Sequence, residues 1–366
     1  MIHVVIGTKA QLIKMAPVMV ALGRVGVPFR FIWTGQHRDT TREILDNFGL
    51  RGPDYVLYDG PDITSVIAML RWSACILWRC WRRRHEVFDL SGSGSGLVLV
   101  HGDTFSTLLG ALMARVSGLQ VGHVESGLRS FNLLHPFPEE LTRLLTFRLT
   151  EIYFCPDKKA LENLSGYRGE KIDTGGNTLL DALRCALNAP QPADLDIPSA
   201  PYGIVTLHRF ENFSSRDSVV RIVEIVERIA ATAPLLFILH KPTEKALRRH
   251  HLLARLESNP RIQLRQRYDY FRFVRLLQSA AFVISDGGSN QEECSYLGKP
   301  ILLLRKATER SEGLGRNCVL SEYRMDLIDE FTANYARLAD APAPPEWRPS
   351  GVIADFCKVR VSGGTR

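Results

Sequence analysis

The sequence predicts an α/β protein in two halves, each a doubly wound parallel sheet covered by helices. Three observations carry this expectation. Short apolar runs alternate with helical patterns almost from end to end, which is the signature of parallel β-α-β units. The runs fall into two sets, separated by a stretch within 178–203 that is rich in Pro and Ala, ALNAPQPADLDIPSAPYG. Each set opens with an apolar strand that runs into a polar turn, IGTKAQ in the first and VTLHRFEN in the second. Ligands of open α/β sheets bind beyond the carboxyl ends of the strands, so two Rossmann-like domains facing across a cleft are expected. The implied boundaries are 1–177, 178–345 and a turn-rich C-terminal tail at 346–366.

The first set of strands reads Ile2–Ile6, Phe29–Thr34, Leu97–His101, Leu119–His123 and Ile152–Cys155. The second reads Gly203–Leu207, Leu235–Leu239, Ile262–Leu264, Phe282–Ser285 and Ile301–Leu304. All are short and apolar, as strands buried on both faces must be. Helical spacing between them predicts Thr40–Phe48, Ser106–Arg115, Glu140–Leu149, Ser218–Ala230 and Phe271–Ala281. SGSGSG at 91–96 has G-x-G spacing but precedes a strand and opens no helix. It reads as a flexible connection, not a dinucleotide fingerprint. The last residues, SGGTR, read as a frayed end.

Composition narrows the class. The 366 residues are 45% hydrophobic and 23% charged, which excludes disordered, collagenous and disulfide-scaffold chains. A net charge of +7 suits anionic partners without choosing among them. The seven cysteines are scattered and form no C-x-x-C pair, as in proteins that keep reduced thiols. No Walker A or zinc spacing occurs, and MIHVVIGTKAQ lacks the basic start of a secretory leader.

Residues 62–81, DITSVIAMLRWSACILWRCW, mimic a membrane span and are followed by Arg82, Arg83, Arg84 and His85. Arg71 lies in the middle, and one central Arg costs a spanning helix roughly 2.5–3.5 kcal/mol. A long amphipathic helix packed on a sheet is expected instead. The alternative is a basic, Trp-rich patch over 62–90 that rests weakly on a membrane or a partner.

Polar residues gather at the strand ends. Gly7-Thr8-Lys9 closes the first strand and Lys14 follows; backbone N–H groups and two ammonium groups there suit an anion. Asp103 follows LVLVHG, Glu125 follows LQVGHV, and Glu139 stands at a Pro-primed helix start. Three carboxylates in one half suit proton transfer. Each has an ordinary alternative: an N-cap for Asp103, a buried pairing with Arg129 for Glu125, a first-turn carboxylate for Glu139. In the second half His208 ends the strand YGIVTL and is trailed by Arg209, Glu211 and Asn212. It suits stabilisation of a phosphate leaving group, or a structural bond to a loop carbonyl. Gly287 and Gly288 lie between a strand and a helix, where backbone can approach a diphosphate. Glu292 or Glu293, one turn on, can accept the hydroxyls of a ribose.

Together these motifs resemble the UDP-N-acetylglucosamine 2-epimerase family, non-hydrolysing bacterial type, whose fold is GT-B. The most specific block is GDTFSTLLGALMARVSGLQVGHVESGLRSFNLLHPFPEELTR, similar to the family's G-D-T-x-S-T … G-H-V-E-A-G-L-R … P-F-P-E-E pattern. The resemblance recurs at TGGNTLLDAL, TLHRFENF, SDGGSNQEE–LGKP and ATER (307–310), and covers roughly residues 2–320. It departs at Gly7-Thr8-Lys9-Ala10-Gln11, where the family has G-T-R-P-E. Lys9 keeps the charge without the fork of Arg. It also departs at DGGSNQEE, where D-S-G-G-x-Q-E-E is usual, and at Phe147 and Arg148, where polar residues or His are usual.

The resemblance implies catalytic carboxylates at Asp103, Glu125 and Glu139 and a site histidine at His208. It implies substrate or UDP contacts at Lys9, Lys14, Arg129, Arg209, Asn212, Gly287, Gly288, Glu293 and Arg310. The implied reaction is reversible C2 epimerisation of UDP-N-acetylglucosamine to UDP-N-acetylmannosamine by elimination and re-addition of UDP. A hydrolysing outcome and a GT-B glycosyltransferase are the rivals. A UDP-sugar is the implied partner, with no cofactor, metal or nucleic acid. A cytoplasmic homodimer supplying activated sugar for surface polysaccharide is implied as well.

Overall fold

In the computed structural model the described residues are 1–36, 41–60, 63, 66–90, 96–132, 138–308 and 310–363. The connection expected at 91–96 lies outside them except for Gly96, as do 133–137, Glu309 and the end of the tail. By internal contact the chain forms two units, Met1–Cys185 with Pro345–Arg366, and Ala186–Pro344.

The first unit runs β1 (Ile2–Ile6), α1 (Lys9–Arg24), β2 (Phe29–Trp33), α2 (Thr41–Phe48), β3 (Tyr55–Val56) and α3 (Val66–Val87). It continues with β4 (Leu97–His101), α4 (Phe105–Val116), β5 (Gln120–Val124), α5 (Glu139–Leu149) and β6 (Ile152–Cys155). It closes with α6 (Lys158–Asn163), β7 (Glu170–Asp173) and α7 (Leu179–Asn188). Its seven parallel strands lie in the order β3-β2-β1-β4-β5-β6-β7. That order reverses direction between β1 and β4, the switch point at which such sheets bind ligands. Both faces are covered. Ile2, Val4, Ile6, Leu97 and Leu99 pack under α1 with Leu12, Met15 and Met19. Val5, Val98 and Val100 face the other way, against Trp72, Ile76 and Cys80 of α3 and Ala111 of α4. This strict alternation explains the continuous apolar strands.

The second unit runs β8 (Gly203–Thr206), α8 (Phe210–Phe213), α9 (Arg216–Ala230), β9 (Leu235–Leu239), α10 (Lys241–Arg249), α11 (Leu253–Glu257) and β10 (Ile262–Gln266). Then come α12 (Tyr270–Ser279), β11 (Phe282–Ser285), α13 (Gly288–Leu297), β12 (Ile301–Leu303), β13 (Cys318–Leu320) and α14 (Met325–Asn334). Its six parallel strands lie in the order β10-β9-β8-β11-β12-β13, with a switch point between β8 and β11.

The structure corrects the C-terminal expectation. After Pro345 the chain forms a helix, α15 (Pro349–Gly363), not a separate turn-rich tail. Ile353, Ala354 and Cys357 of α15 are buried in the first unit's core beside α1. α7 is held to this segment, since Ser350 N–H donates to Asp181 Oδ2 at 2.7 Å and Arg184 donates to the Trp347 carbonyl. The dividing point therefore falls after Cys185, later than 177. α3 is amphipathic, and among the described residues no helix is long and apolar enough to cross a membrane.

Candidate active site

In the first unit the residues that follow β1, β4 and β5 converge beyond the strand ends. Thr8 caps α1, accepting from Gln11 N–H, and Gln11 Oε1 takes the Gly7 N–H at 2.9 Å. The Gln11 amide donates to the His101 carbonyl at 2.8 Å and to Thr107 Oγ1 at 3.0 Å, tying the β1 turn to the β4 turn. A Cβ on Gly7 would stand 1.8 Å from Thr34 Oγ1, so only glycine fits this crossing. Lys9 opens α1 half-buried.

Glu125 follows β5 with φ +61°. A left-handed non-glycine residue stores about 1–3 kcal/mol of strain, a feature that recurs at functional sites. The β5 ladder before it and the Ser126 N–H to Phe154 carbonyl bond (3.0 Å) after it hold the turn. Its Oε2 lies 2.7 Å from Lys14 Nζ and 3.0 Å from His101 Nε2, although the imidazole is not aligned as a hydrogen-bond partner. The pairing with Arg129 considered above does not form. Arg129 Nε instead donates to Glu140 Oε1 at 2.5 Å.

Asp103 follows β4 through Gly102. It is not the cap of α4, a role taken by Thr104, whose side chain accepts from Thr107 N–H. Arg143 on α5 donates to Asp103 Oδ2 through Nη2 and to Glu140 Oε2 through Nη1 (3.3 Å). Burial pushes the Arg143 pKa down, but the Asp103, Glu140 and Glu125 charges outweigh it and the net shift is upward. Glu140 is fully buried. Burial raises its pKa, yet the Ser130 N–H and the Arg129 and Arg143 guanidiniums hold the carboxyl below the usual range. Glu139, one residue earlier, opens α5. Its Oε2 is buried and has no hydrogen-bond partner among the described residues.

His123 lies beneath this cluster. Burial lowers its pKa to about 4, so the ring is neutral at neutral pH. Nε2 stands 2.7 Å from the Gly102 carbonyl, which can only accept, so Nε2 carries the proton and Nδ1 accepts from Ser126 Oγ at 3.1 Å. Phe147, the residue standing where polar side chains are usual, packs against this ring at 5.6 Å between centroids.

In the second unit the organising group is Asp286, fully buried after β11. It accepts the His208 N–H at 3.0 Å, the Arg209 N–H at 2.9 Å and Asn212 Nδ2 at 2.8 Å. The turn after β8 is thereby bound to the turn after β11. His208 Nδ1 lies 3.3 Å from Asp286 Oδ1, and its ring is tilted over His240 at 4.8 Å. Burial lowers the His208 pKa, partly countered by Asp286. Asn212 is buried and also receives the Tyr323 hydroxyl at 2.6 Å, so its side chain is spent on the fold.

α13 begins at Gly288 and no side chain among the described residues caps it, which leaves its first N–H groups able to receive an anion. A Cβ on Gly287 would meet Asn290 Oδ1 at 2.8 Å and His208 Cε1 at 3.1 Å, so a bare backbone is required there. Arg310 crosses Gly288 and donates to Glu292 Oε2 at 2.9 Å. Glu293 is buried beside Asn290, whose amide donates to it at 3.0 Å.

Sequence reasoning missed His101, Glu140, Arg143 and Asp286. Asp286 carried a readable signal, since it follows its strand just as Asp103 and Glu125 follow theirs. Glu140 carried none, because consecutive helix positions point about 100° apart and only the packed α5 shows that it faces inward.

Two parallel Rossmann-like sheets, with acid and basic groups beyond the strand ends of one and an uncapped glycine-led helix start in the other, define a GT-B-type α/β protein. Comparison with known proteins narrows this. The model of the UDP-N-acetylglucosamine 2-epimerase family matches residues 23–333, and the chain belongs to that family. It is 33% identical to a probable UDP-N-acetylglucosamine 2-epimerase of Ralstonia solanacearum, over 90% of this chain and 89% of that one. The structure of UDP-GlcNAc 2-epimerase from Neisseria meningitidis bound to UDP-GlcNAc superposes with a TM-score of 0.79 at 26% identity, covering 100% and 99% of the two chains. A putative UDP-N-acetylglucosamine 2-epimerase of Listeria monocytogenes gives 0.80 at 28% identity, covering 100% and 96%.

Proposed function

We propose that the chain interconverts UDP-N-acetylglucosamine and UDP-N-acetylmannosamine. The C2 proton of an N-acetylhexosamine has no adjacent carbonyl, so direct abstraction is prohibitive. Loss of UDP from C1, which carries away the C1–O electron pair, gives C1 oxocarbenium character and acidifies C2–H. A carboxylate takes the proton and a glycal remains beside UDP. Protonation of C2 from the opposite face and return of a UDP oxygen to C1 give the 2-epimer. The steps are redox-neutral.

Two proton-transfer groups on opposite faces are needed. Asp103, Glu125 and Glu139 are assigned to this work. The observation that carries the reading is the state of Glu139: the fold buries Oε2, which has no hydrogen-bond partner among the described residues, an arrangement whose cost a reacting proton can explain. Lys14 and Arg143 position the other two carboxylates. In the second unit the α13 N-terminus at Gly287 and Gly288, with His208, Arg209, Arg310 and Glu293, is assigned to UDP, and in the first unit Lys9 is assigned to substrate binding. Arg129 and Asn212 act through the residues they hold.

Family membership also supports a homodimer that supplies activated N-acetylmannosamine to polysaccharide synthesis. Seven cysteines, none in a disulfide, suit a reducing cytoplasm. The decisive experiment incubates the protein with UDP-N-acetylglucosamine in deuterated water and follows C2 by NMR. Deuterium at C2 and a second UDP-sugar are expected. Free sugar without deuterated UDP-sugar, or no exchange, overturns the reading.

A further inference from the structure

Asn290 lies half-buried in the first turn of α13. Its amide Nδ2 donates to Glu293 Oε2 at 3.0 Å. An ionised carboxylate can only accept, so this bond fixes which end of the amide faces Glu293. Oδ1 is turned to Ser285, whose hydroxyl donates to it at 2.9 Å. The Ser285 oxygen in turn accepts the Gly287 N–H at 3.0 Å. The result is a directional chain from the Gly287 backbone, through Ser285 and Asn290, to Glu293. Ser285 and Glu293 are both buried, so water competes little for these bonds. The chain also has a steric side. A side chain at 287 would place its Cβ 2.8 Å from Asn290 Oδ1, too close for the amide to stay where it is. Asn290 thus fills the space that a hydroxyl side chain at 287 would need. Of the two carboxylates suited to a ribose, Glu292 is committed to the fold. Its Oε2 receives Arg310 Nη1 at 2.9 Å and its Oε1 the Tyr296 hydroxyl at 3.2 Å.

We infer that Asn290 is a positioning residue that sets the preference for a ribose over a deoxyribose nucleotide, an inference that rests on the assignment of this site to UDP. It acts through Glu293, whose carboxylate it aims at the ribose hydroxyls. Through Ser285 it ties that carboxylate to the turn at Gly287, where the phosphates are assigned. A carboxylate already held by a fixed donor need not be ordered by the ligand, so less is lost on binding. A nucleotide with both ribose hydroxyls gains from this preset acceptor. One that lacks a hydroxyl does not.

The test is calorimetric titration of the full chain with UDP and with 2′-deoxy-UDP, which share base and phosphates. The parent should bind UDP more tightly by about tenfold or more, the worth of a hydrogen bond to a charged group. Asn290→Asp keeps an acceptor for Ser285 but opposes a second carboxylate to Glu293, and most of that preference should be lost. The added charge acts on the phosphates of both ligands alike and cancels in the ratio. Asn290→Ala should narrow the ratio too, with thermal unfolding little changed. Gly287→Ser should displace the amide and weaken UDP binding by about tenfold. Adding Asn290→Ala vacates the space and should recover part of that affinity without restoring the preference. A preference that survives in both single Asn290 variants overturns the inference. So does an equal loss of affinity for the two ligands with a lower unfolding temperature, which would make Asn290 a structural support of α13. Absence of UDP binding by the parent overturns the nucleotide assignment, and this inference with it.

Discussion

Lys14 Nζ stands 2.7 Å from Glu125 Oε2, and both side chains are only 7% exposed. A buried charge left without its partner is costly, so Lys14→Met should lower stability by about 3–5 kcal/mol. Adding Glu125→Gln removes the carboxylate that lost its ammonium partner and should restore part of that loss. Urea unfolding of the two variants measures it. A double variant no more stable than Lys14→Met would mean that the ion pair is not what the lysine supplies. Neither variant should turn over substrate.

Arg143 forks between Asp103 and Glu140 from a single side chain. Lysine keeps the charge but not the fork, so Arg143→Lys should reduce kcat by about tenfold or more while changing KM little. Glu139→Gln and Asp103→Asn should each reduce turnover by about 10²–10⁴ with UDP affinity preserved, the usual worth of an acid–base group. Wild-type turnover in both amide variants would remove these carboxylates from the chemistry.

How much of this was written in the chain can be seen strand by strand. The central strands β1, β4, β8 and β11 are buried on both faces and stand out as apolar runs. The edges do not. β3 has two residues, β7 is Glu-Lys-Ile-Asp, and β13 is three residues long. An edge strand faces solvent on one side and needs no apolar run. α15 escaped notice because Gly351 and the prolines before it dominate the local composition, although Ile353, Ala354 and Cys357 keep helical spacing. The strand-end positions of the candidate residues were legible, because Asp103, Glu125 and His208 each follow an apolar strand. The supporting groups were not, because Arg143 and Glu140 gain their roles from the placement of α5 against β4.

His3, on β1 and away from the site, offers a test of burial. Its ring lies edge-on to Phe88 at 5.2 Å, and burial, with the N-terminus and Arg30, lowers its pKa to about 4. The unfolded chain, with an ordinary value near 6.5, therefore binds the proton more readily. Stability is unaffected by His3 above about pH 6.5 and falls as pH drops towards 4, by about 3 kcal/mol in all. His3→Leu should unfold at a lower pH than the parent and match it near pH 8. Circular dichroism across pH 3–8 checks this, and an unshifted acid midpoint would place the penalty elsewhere.

Asp286 carries no assigned chemical step yet receives the His208 N–H, the Arg209 N–H and the Asn212 amide. These bonds join the turn after β8 to the turn after β11, the two strands at the second unit's switch point. Asp286 is fully buried, so its charge is tolerated only because three donors converge on it. Asp286→Asn replaces one acceptor oxygen with a donor NH₂ group that cannot take a backbone N–H. At least one N–H of the His208 turn then loses its partner, at a cost of about 1–3 kcal/mol. The turn should loosen, and with it the placement of His208 beside the uncapped start of α13. UDP affinity should fall by about tenfold or more, and amide exchange at 208–209 and 287–288 should accelerate together. Asp286→Ala should do the same or worse, whereas Asn212→Asp, which opposes a second carboxylate to the first, should be the most damaging of the three. Calorimetry with UDP and hydrogen exchange read the two effects separately. Unchanged UDP affinity in Asp286→Asn, with faster exchange, would show that the His208 turn holds the fold and not the nucleotide.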